Sequence, residues 1–284
     1  MRFSRLFGFV TVLLLAALLL TACPAPAPTA APAEPAAVEE PAAAEEPTPE
    51  PEPEAEAEAE SLGVLQVGTN AEYPPFESVD ESGNIIGFDM DIMNAIAEAA
   101  GFEVEFVNTR WDGIFVALAS GDFDAVISAA TITEERKQAV DFSEPYFNAG
   151  QMIAVKLGSE IRTPEDLVEG VKVGVQLGTT GDLWVSDNTS AEVVRYDEIT
   201  LAFQALGNGD VDAVVNDGPV SADIIRANPE LDAVLVGEPF TDEFYGIAVN
   251  KDRPEVLQAI NLGLAAVRAS GQYDEIYDTW FGTE

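Results

Sequence analysis

Histidine is absent from this chain and cysteine occurs once, at Cys23. Its chemistry must therefore come from carboxylates, Lys, Arg, Tyr, Ser and Thr. The commonest general base and the commonest metal ligand are both missing. Ser-His-Asp, Cys-His and cysteine-rich zinc sites are excluded by inventory, and a single thiol forms no internal disulfide. The sequence calls for no metal, no cofactor and no catalytic residue, and reads as a binder rather than an enzyme.

Two residues of opposite charge have the surroundings of a small-molecule site. Arg136 ends the phrase Thr131-Ile132-Thr133-Glu134-Glu135-Arg136. Its planar guanidinium can grip a carboxylate through two parallel hydrogen bonds. Thr131 and Glu134 have the spacing of a capping box, which would bring the free N–H groups of a helix start close by. Thr179-Thr180-Gly181 reads as a second helix start, whose N–H and hydroxyl donors could hold the same carboxylate. Asp217 follows the apolar run Ala213-Val214-Val215 and could take an ammonium group. On local sequence alone, Arg136 could equally be a surface ion pair and Asp217 a plain helix N-cap. Tyr73 and Trp111 could be core aromatics.

The elements that must position these residues alternate between strand and helix. Leu65–Thr69, Phe102–Phe106 and Asp124–Ile127 read as strands. Phe88–Ala100 and Trp111–Ala119 read as helices, the first with Met90, Ile92, Met93, Ile96 and Ala97 at near-helical spacing and Gly101 to end it. The rhythm then recurs. Strands are expected at Val171–Val175, Val193–Val194 and Asp212–Val215, and helices from Gly181, over Thr200–Leu206 and over Ser221–Ala227. The phrases Gly121-Asp122-Phe123-Asp124-Ala125-Val126 and Gly209-Asp210-Val211-Asp212-Ala213-Val214 are near copies. They imply two similar α/β lobes, each with a mostly parallel sheet. A further strand at Phe244–Val249 and helices at Glu255–Arg268 and Tyr273–Trp280 could return to the first lobe.

The first sixty residues have a different texture. Arg2 and Arg5 precede an apolar run from Leu6 to Leu20, too short to span a bilayer and proportioned like a signal peptide. It ends in Leu20-Thr21-Ala22-Cys23, which resembles the lipobox of bacterial lipoproteins and implies lipid attachment at Cys23. Residues 24–60 are almost wholly Pro, Ala, Glu and Thr, with eleven Glu. They cannot bury enough apolar surface to offset their ordering entropy and read as a disordered, extended stalk. Over the whole chain 51 acids face 13 bases, for a formal net charge of −38, which makes nucleic acid an unsuitable partner.

Four phrases carry a family resemblance. They are Gly68-Thr69-Asn70-Ala71-Glu72-Tyr73-Pro74-Pro75-Phe76-Glu77 with Gly87-Phe88-Asp89-Met90-Asp91; Thr131 to Arg136 running into Asp141-Phe142-Ser143-Glu144-Pro145-Tyr146; Gly174-Val175-Gln176-Leu177-Gly178-Thr179-Thr180-Gly181; and Asp212 to Asp217 with Trp280-Phe281-Gly282 in the tail. Together they resemble the polar amino-acid-binding proteins of ABC importers over about residues 62–283. The resemblance implies an α/β, two-lobed periplasmic-binding-protein (Venus flytrap) fold, with residues 61–148 plus 245–284 in one lobe and 149–244 in the other. The hinges would lie near 148–152 and 243–245. It implies an exported, monomeric protein, anchored by lipid on the outer face of the cytoplasmic membrane, that delivers its ligand to permease subunits.

By the same resemblance Arg136, Thr131 and Thr180 take the ligand carboxylate. Asp217 takes the ammonium, together with the carbonyls of Ser128 and Ala129. Tyr73 and Trp111 sandwich the side chain, and Asn70, Gln176 and Asn216 surround its end. Members of the family often carry an acid where this chain has Asn70. A neutral ring of Asn, Gln and Asn suits glutamine or another neutral polar amino acid, ahead of arginine, lysine or histidine. The competing reading from another class is a cyclohexadienyl or prephenate-type dehydratase on the same fold.

Overall fold

A computed structural model describes residues 62–282. The signal segment, Cys23 and the stalk expected before residue 61 lie outside the described residues. The chain opens with β1 (Val64–Thr69), a short hairpin of β2 (Ser78–Val79) and β3 (Ile85–Ile86), α1 (Phe88–Ala100), β4 (Glu103–Asn108), α2 (Ile114–Ser120), β5 (Ala125–Val126), α3 (Arg136–Ala139) and β6 (Asp141–Phe142). It then crosses to a second lobe through β7 (Phe147–Ala149). That lobe holds β8 (Gln151–Lys156), β9 (Lys172–Gln176), α4 (Thr180–Asn188), β10 (Glu192–Tyr196), α5 (Ile199–Asn208), β11 (Ala213–Asp217), α6 (Gly218–Ala227) and β12 (Ala233–Val236). The return runs through β13 (Glu243–Tyr245) to β14 (Ala248–Val249), α7 (Pro254–Ser270) and α8 (Gln272–Phe281).

The two five-stranded sheets share one plan. The first has the order β4-β1-β5-β14-β6 and the second β10-β9-β11-β8-β12. In each, three strands lie parallel in the order second, first, third, and the strand arriving from the other lobe inserts antiparallel beside the third. β14 plays that part in the first sheet and β8 in the second, and each covers the free edge of its third strand. The crossings β7 and β13 pair antiparallel, from Phe147↔Tyr245 to Ala149↔Glu243. The two-lobed fold with mostly parallel sheets is thus the observed one.

α1 shows why the sequence folds as it does here. Phe88, Met90, Ile92, Met93, Ile96 and Ala97 are all buried, and Gly101 ends the helix in the left-handed conformation with its N–H on the Ala97 carbonyl. Gly87 before it has φ 149°, and a Cβ there would sit 1.9 Å from the Phe76 carbonyl oxygen, so only glycine fits. Phe76 then packs edge-on against Phe147 of β7 and Tyr245 of β13, with ring centroids at 4.8 and 5.2 Å. Phe281 of α8 closes this cluster at 5.3 Å from Phe76 and 5.1 Å from Phe147. The two crossing strands are therefore anchored by aromatic packing to the first lobe, against α8.

The structure departs from the sequence expectations at several strands. β8 and β12 were not expected at all. The strand expected over Phe244–Val249 is broken at Gly246-Ile247 into β13 and β14. The helix expected to begin at a Thr131/Glu134 capping box begins instead at Arg136, and Thr133 Oγ1 accepts the Arg136 N–H at 3.1 Å. Thr131 forms a β-bridge with Tyr245, and Glu134 pairs with Lys137. Tethering to the return crossing wins over local capping at Thr131.

Candidate functional site

The cleft between the sheets narrows to a cavity of about 20 Å³, room for about one water molecule, so the lobes stand nearly closed on it. Asn70, Tyr73, Trp111, Ser128, Ala129, Thr131 and Arg136 line it from the first lobe. Gln176, Thr180 and Asp217 line it from the second, at the ends of β9, β11 and the start of α4. Of the residues singled out from sequence, only Asn216 is not in the lining. Thr179, from the helix start expected to face a ligand, lines the cavity too, and so does Glu77, which was not anticipated.

Arg136 lines the cavity from the first lobe. Its guanidinium lies 5.0 Å from the Trp111 ring centroid and 4.7 Å from that of Phe115, and Nη1 donates to the Thr131 carbonyl at 2.7 Å. Stacking of this kind holds the planar fork in place while leaving N–H groups for a partner. Burial lowers its pKa to about 10, against the pull of Glu243 and Asp217, so it stays charged at neutral pH. Trp111 is thus a shelf for the guanidinium as well as a cavity wall.

Asp217 ends β11 at the other side. Its Oδ2 accepts from the hydroxyls of Tyr73 at 2.7 Å and Tyr245 at 2.6 Å, and its Oδ1 from Gln151 Nε2. The donors come from the first lobe, the return crossing and β8, so the carboxylate sits where three parts of the fold meet. Burial raises its pKa to about 6, and the nearby Glu243 adds to the rise, while the two phenols and Arg136 oppose it. A carboxylate so placed pairs strongly with a cation that enters the cleft.

Asn216 is turned away. Its Oδ1 lies 2.7 Å from the Tyr73 hydroxyl and its Nδ2 faces Ser221. Asn216 and Asp217 meet the same Tyr73 hydroxyl, so Asn216 stands directly behind the lining. Asn70 and Gln176 do meet across the cleft, at 3.2 Å between Nε2 and Oδ1. Gln176 Nε2 also reaches the Asp197 carbonyl at 3.2 Å, and Asn70 Nδ2 the Thr109 carbonyl at 3.1 Å.

Glu243, on the return crossing, changes what the threonines can do. Its Oε2 accepts from Thr131 Oγ1 and from Thr180 Oγ1, both at 2.7 Å, and its Oε1 from Thr241 Oγ1 at 3.0 Å. Each hydroxyl has one proton. The donors of these two threonines are thus engaged by Glu243, contrary to the expectation that they would serve a ligand carboxylate directly. What faces the cavity is the opening turn of α4, where N–H groups lack intrahelical acceptors. Gly181 permits this approach, since a Cβ there would come within 2.7 Å of Gln151 Oε1.

Glu243, Gln151, Tyr245 and Glu77 escaped the sequence reading. Their common signal was a lone polar or phenolic group inside or beside an apolar strand. All are at most 6% exposed, and a buried polar group needs a partner.

At the rim, Glu72 of the first lobe and Glu198 of the second are close enough that Glu198, after burial, raises the pKa of Glu72. Arg110 and Asp197 pair beside them at 3.3 Å, exposed to water, so this bridge contributes little. No helix among the described residues is long and apolar enough to cross a membrane.

Relatives in sequence and in structure are amino-acid-binding proteins. A histidine-binding protein of Neisseria gonorrhoeae, described as probable, is 44% identical over 225 residues, covering 78% of this chain and 84% of its own. The glutamine-binding protein of an ABC transporter from Bacillus subtilis is 39% identical over 203 residues, covering 70% and 74%. An ancestral arginine-binding protein, solved bound to arginine, is 48% identical with a TM-score of 0.74, covering 78% of this chain and 99% of that one. The same kind of protein solved bound to glutamine is 47% identical with a TM-score of 0.73. Residues 65–283 match the bacterial extracellular solute-binding proteins, family 3, and the chain belongs to that family.

Proposed function

We propose that this chain is the substrate-binding lipoprotein of an ABC importer, which takes one polar amino acid into the cleft and passes it to membrane permease subunits. The observation that carries the reading is that opposite charges from the two lobes, Arg136 and Asp217, line one small cavity. Arg136 takes the α-carboxylate, helped by the first turn of α4. Asp217 takes the α-ammonium, with the backbone at Ser128 and Ala129. The side chain then runs between Tyr73 and Trp111 towards Asn70 and Gln176.

The sequence alone put an amide side chain first. Two observations move arginine ahead of glutamine. Asn216 faces Tyr73 and Ser221 instead of the cavity, which removes one of the three amides. The cleft is also richer in acids than in cations. Asp217 and Glu243 are buried beside Arg136, the sole cation among the described lining residues, and Glu72 and Glu198 stand at the rim. A ligand with net positive charge offsets this balance better than a neutral zwitterion. Export, the lipid on Cys23 and delivery to a permease rest on the leader sequence and on the family.

A thermal-shift screen against the twenty amino acids tests the reading. Arginine is expected to give the largest shift, with glutamine and histidine smaller. Ligand at 100 times its dissociation constant adds about 2.7 kcal/mol of stability. No shift with any amino acid, together with turnover of a prephenate-type substrate, would move the chain to the dehydratase class.

Acid should weaken capture. The bound ammonium needs Asp217 ionised, and its folded-state pKa stands at about 6. Affinity should fall as pH drops through 6, by roughly tenfold between pH 8 and pH 5, with one proton taken up per ligand released. Titration calorimetry across that range in buffers of different ionisation enthalpy measures both. A flat profile would place the ammonium elsewhere.

A further inference from the structure

Behind the cleft wall of the first lobe two acids are buried together. Glu77 and Asp89 are both 0% exposed. Glu77 Oε1 accepts from the Ser128 hydroxyl at 3.0 Å, and that hydroxyl accepts from the Asn70 N–H at 3.0 Å. Asp89 Oδ2 accepts from the Ala129 N–H and from the Tyr146 hydroxyl, both at 2.8 Å. The pair thus holds Asn70, Ser128 and Ala129, three cavity-lining positions, from the rear. Ala129 needs such support, since its φ of 44° is in the left-handed region that a residue with a Cβ seldom occupies.

The remaining oxygens, Glu77 Oε2 and Asp89 Oδ1, are buried and have no donor from the surrounding protein. The two side chains are neighbours: the Asp89 N–H donates to the carbonyl of Phe76, the residue before Glu77, at 3.0 Å, and the two carboxyls hold the consecutive residues Ser128 and Ala129. Two carboxylate oxygens cannot bond without a proton between them, and two bare charges in contact in a dry interior are prohibitively costly. Asp89 already receives two hydrogen bonds, one of them from backbone, while Glu77 receives one from a neutral hydroxyl. The charge is therefore better solvated on Asp89, and the proton belongs to Glu77.

We propose that Glu77 and Asp89 share one proton at neutral pH, carried on Glu77 Oε2 and donated to Asp89 Oδ1. In this arrangement the pair is the positioning device for the cleft wall at Asn70, Ser128 and Ala129. Burial drives both groups upward, Glu77 well above the usual carboxylate range and Asp89 to about 7. The groups facing the pair are the phenols of Tyr73 and Tyr146 and, from the second lobe, Asp217. None of them is a cation that would favour ionising both acids.

The test compares Glu77→Gln, Asp89→Asn and the parent protein. Infrared difference spectra at about pH 9, above the Asp89 value, should show a protonated carboxyl band in the parent that is missing from Glu77→Gln. Because both folded-state pKa values are raised, the pair's contribution to stability is complete below pH 4 and is lost as pH rises through neutrality. Glu77→Gln holds the same hydrogen bond without a titrating proton, so its stability relative to the parent should climb between pH 5 and pH 9. Absence of the band in the parent, its survival in Glu77→Gln, or parallel stability profiles would overturn the shared proton.

The positioning half of the proposal rests on the amino-acid-binding reading and uses L-arginine and L-glutamine as probes. Asp89→Asn, which loses its charged acceptor for Ala129, should bind them at least about tenfold more weakly than the parent. Unchanged binding in Asp89→Asn would overturn the positioning role. If the parent binds neither probe, the ligand reading fails, while the band and the stability profiles still decide where the proton lies.

Discussion

Arg136→Ala abolishes the ligand-induced thermal shift and leaves the fold standing: that is the largest effect expected of a single side chain here. A bidentate grip on a carboxylate amounts to two charge-assisted hydrogen bonds, each contributing about 1.5–3 kcal/mol. Together they stand for at least about a hundredfold in affinity, at 1.4 kcal/mol per factor of ten. Within the protein itself the side chain does less. It makes one hydrogen bond, to the Thr131 carbonyl, and stacks over Trp111 and Phe115. Those contacts contribute about 1–3 kcal/mol, spread over the short helix α3, whose residues are all at least partly exposed.

Arg136→Lys separates charge from shape. It keeps the cation but loses the fork and most of the stacking. It should recover part of the affinity through charge alone, and nearly all of the stability. Isothermal titration with arginine, alongside melting curves without ligand, measures both. Affinity unchanged in Arg136→Ala would mean that the carboxylate docks elsewhere. A collapse of the fold would mean that Arg136 is a structural ion-pair partner, the alternative that its local sequence leaves open.

The helices of this fold were legible because their patterns are long and their stops are local. α1 carries seven buried apolar side chains on one face and ends at Gly101. β8 was not legible for the opposite reason. Gln151-Met152-Ile153-Ala154-Val155 lies in the second sheet between β11 and β12, buried on both faces, so it shows no alternation to read. The charges of the site could be found from types and neighbours, but their partners could not. Tyr73 and Asp217 are 144 residues apart, and Thr131 and Glu243 are 112 apart. Contacts at that separation are made by the two crossings, and no local pattern encodes which side chains they bring together. Asn216 sits one layer behind the lining, on the Tyr73 hydroxyl that also serves Asp217, a placement that no local pattern encodes.

Asp217→Asn should lose binding without losing stability, which makes it the sharper of the two charge deletions. The bound ammonium would meet an amide in place of an anion, at a cost of about 2–5 kcal/mol for breaking a buried charge pair. The protein alone responds differently. Asp217 is ionised in a site where burial and Glu243 raise its pKa from 3.8 to about 6. Its charge therefore works against the fold at neutral pH, by about 3 kcal/mol at 1.36 kcal/mol per unit. The sign follows from the raised value: its contribution is complete below pH 3.8 and is lost as pH climbs through 6. Asparagine escapes this loss but offers a weaker acceptor to Tyr73, Tyr245 and Gln151. The two effects oppose each other, so stability at pH 7 should change little and should improve relative to the parent between pH 4 and pH 7. The acid limb of ligand binding should vanish with the titrating group. Retaining an anion that costs stability makes sense only if a cation arrives to meet it. Undiminished arginine affinity in Asp217→Asn, or an acid limb that persists there, would show that another group receives the ammonium.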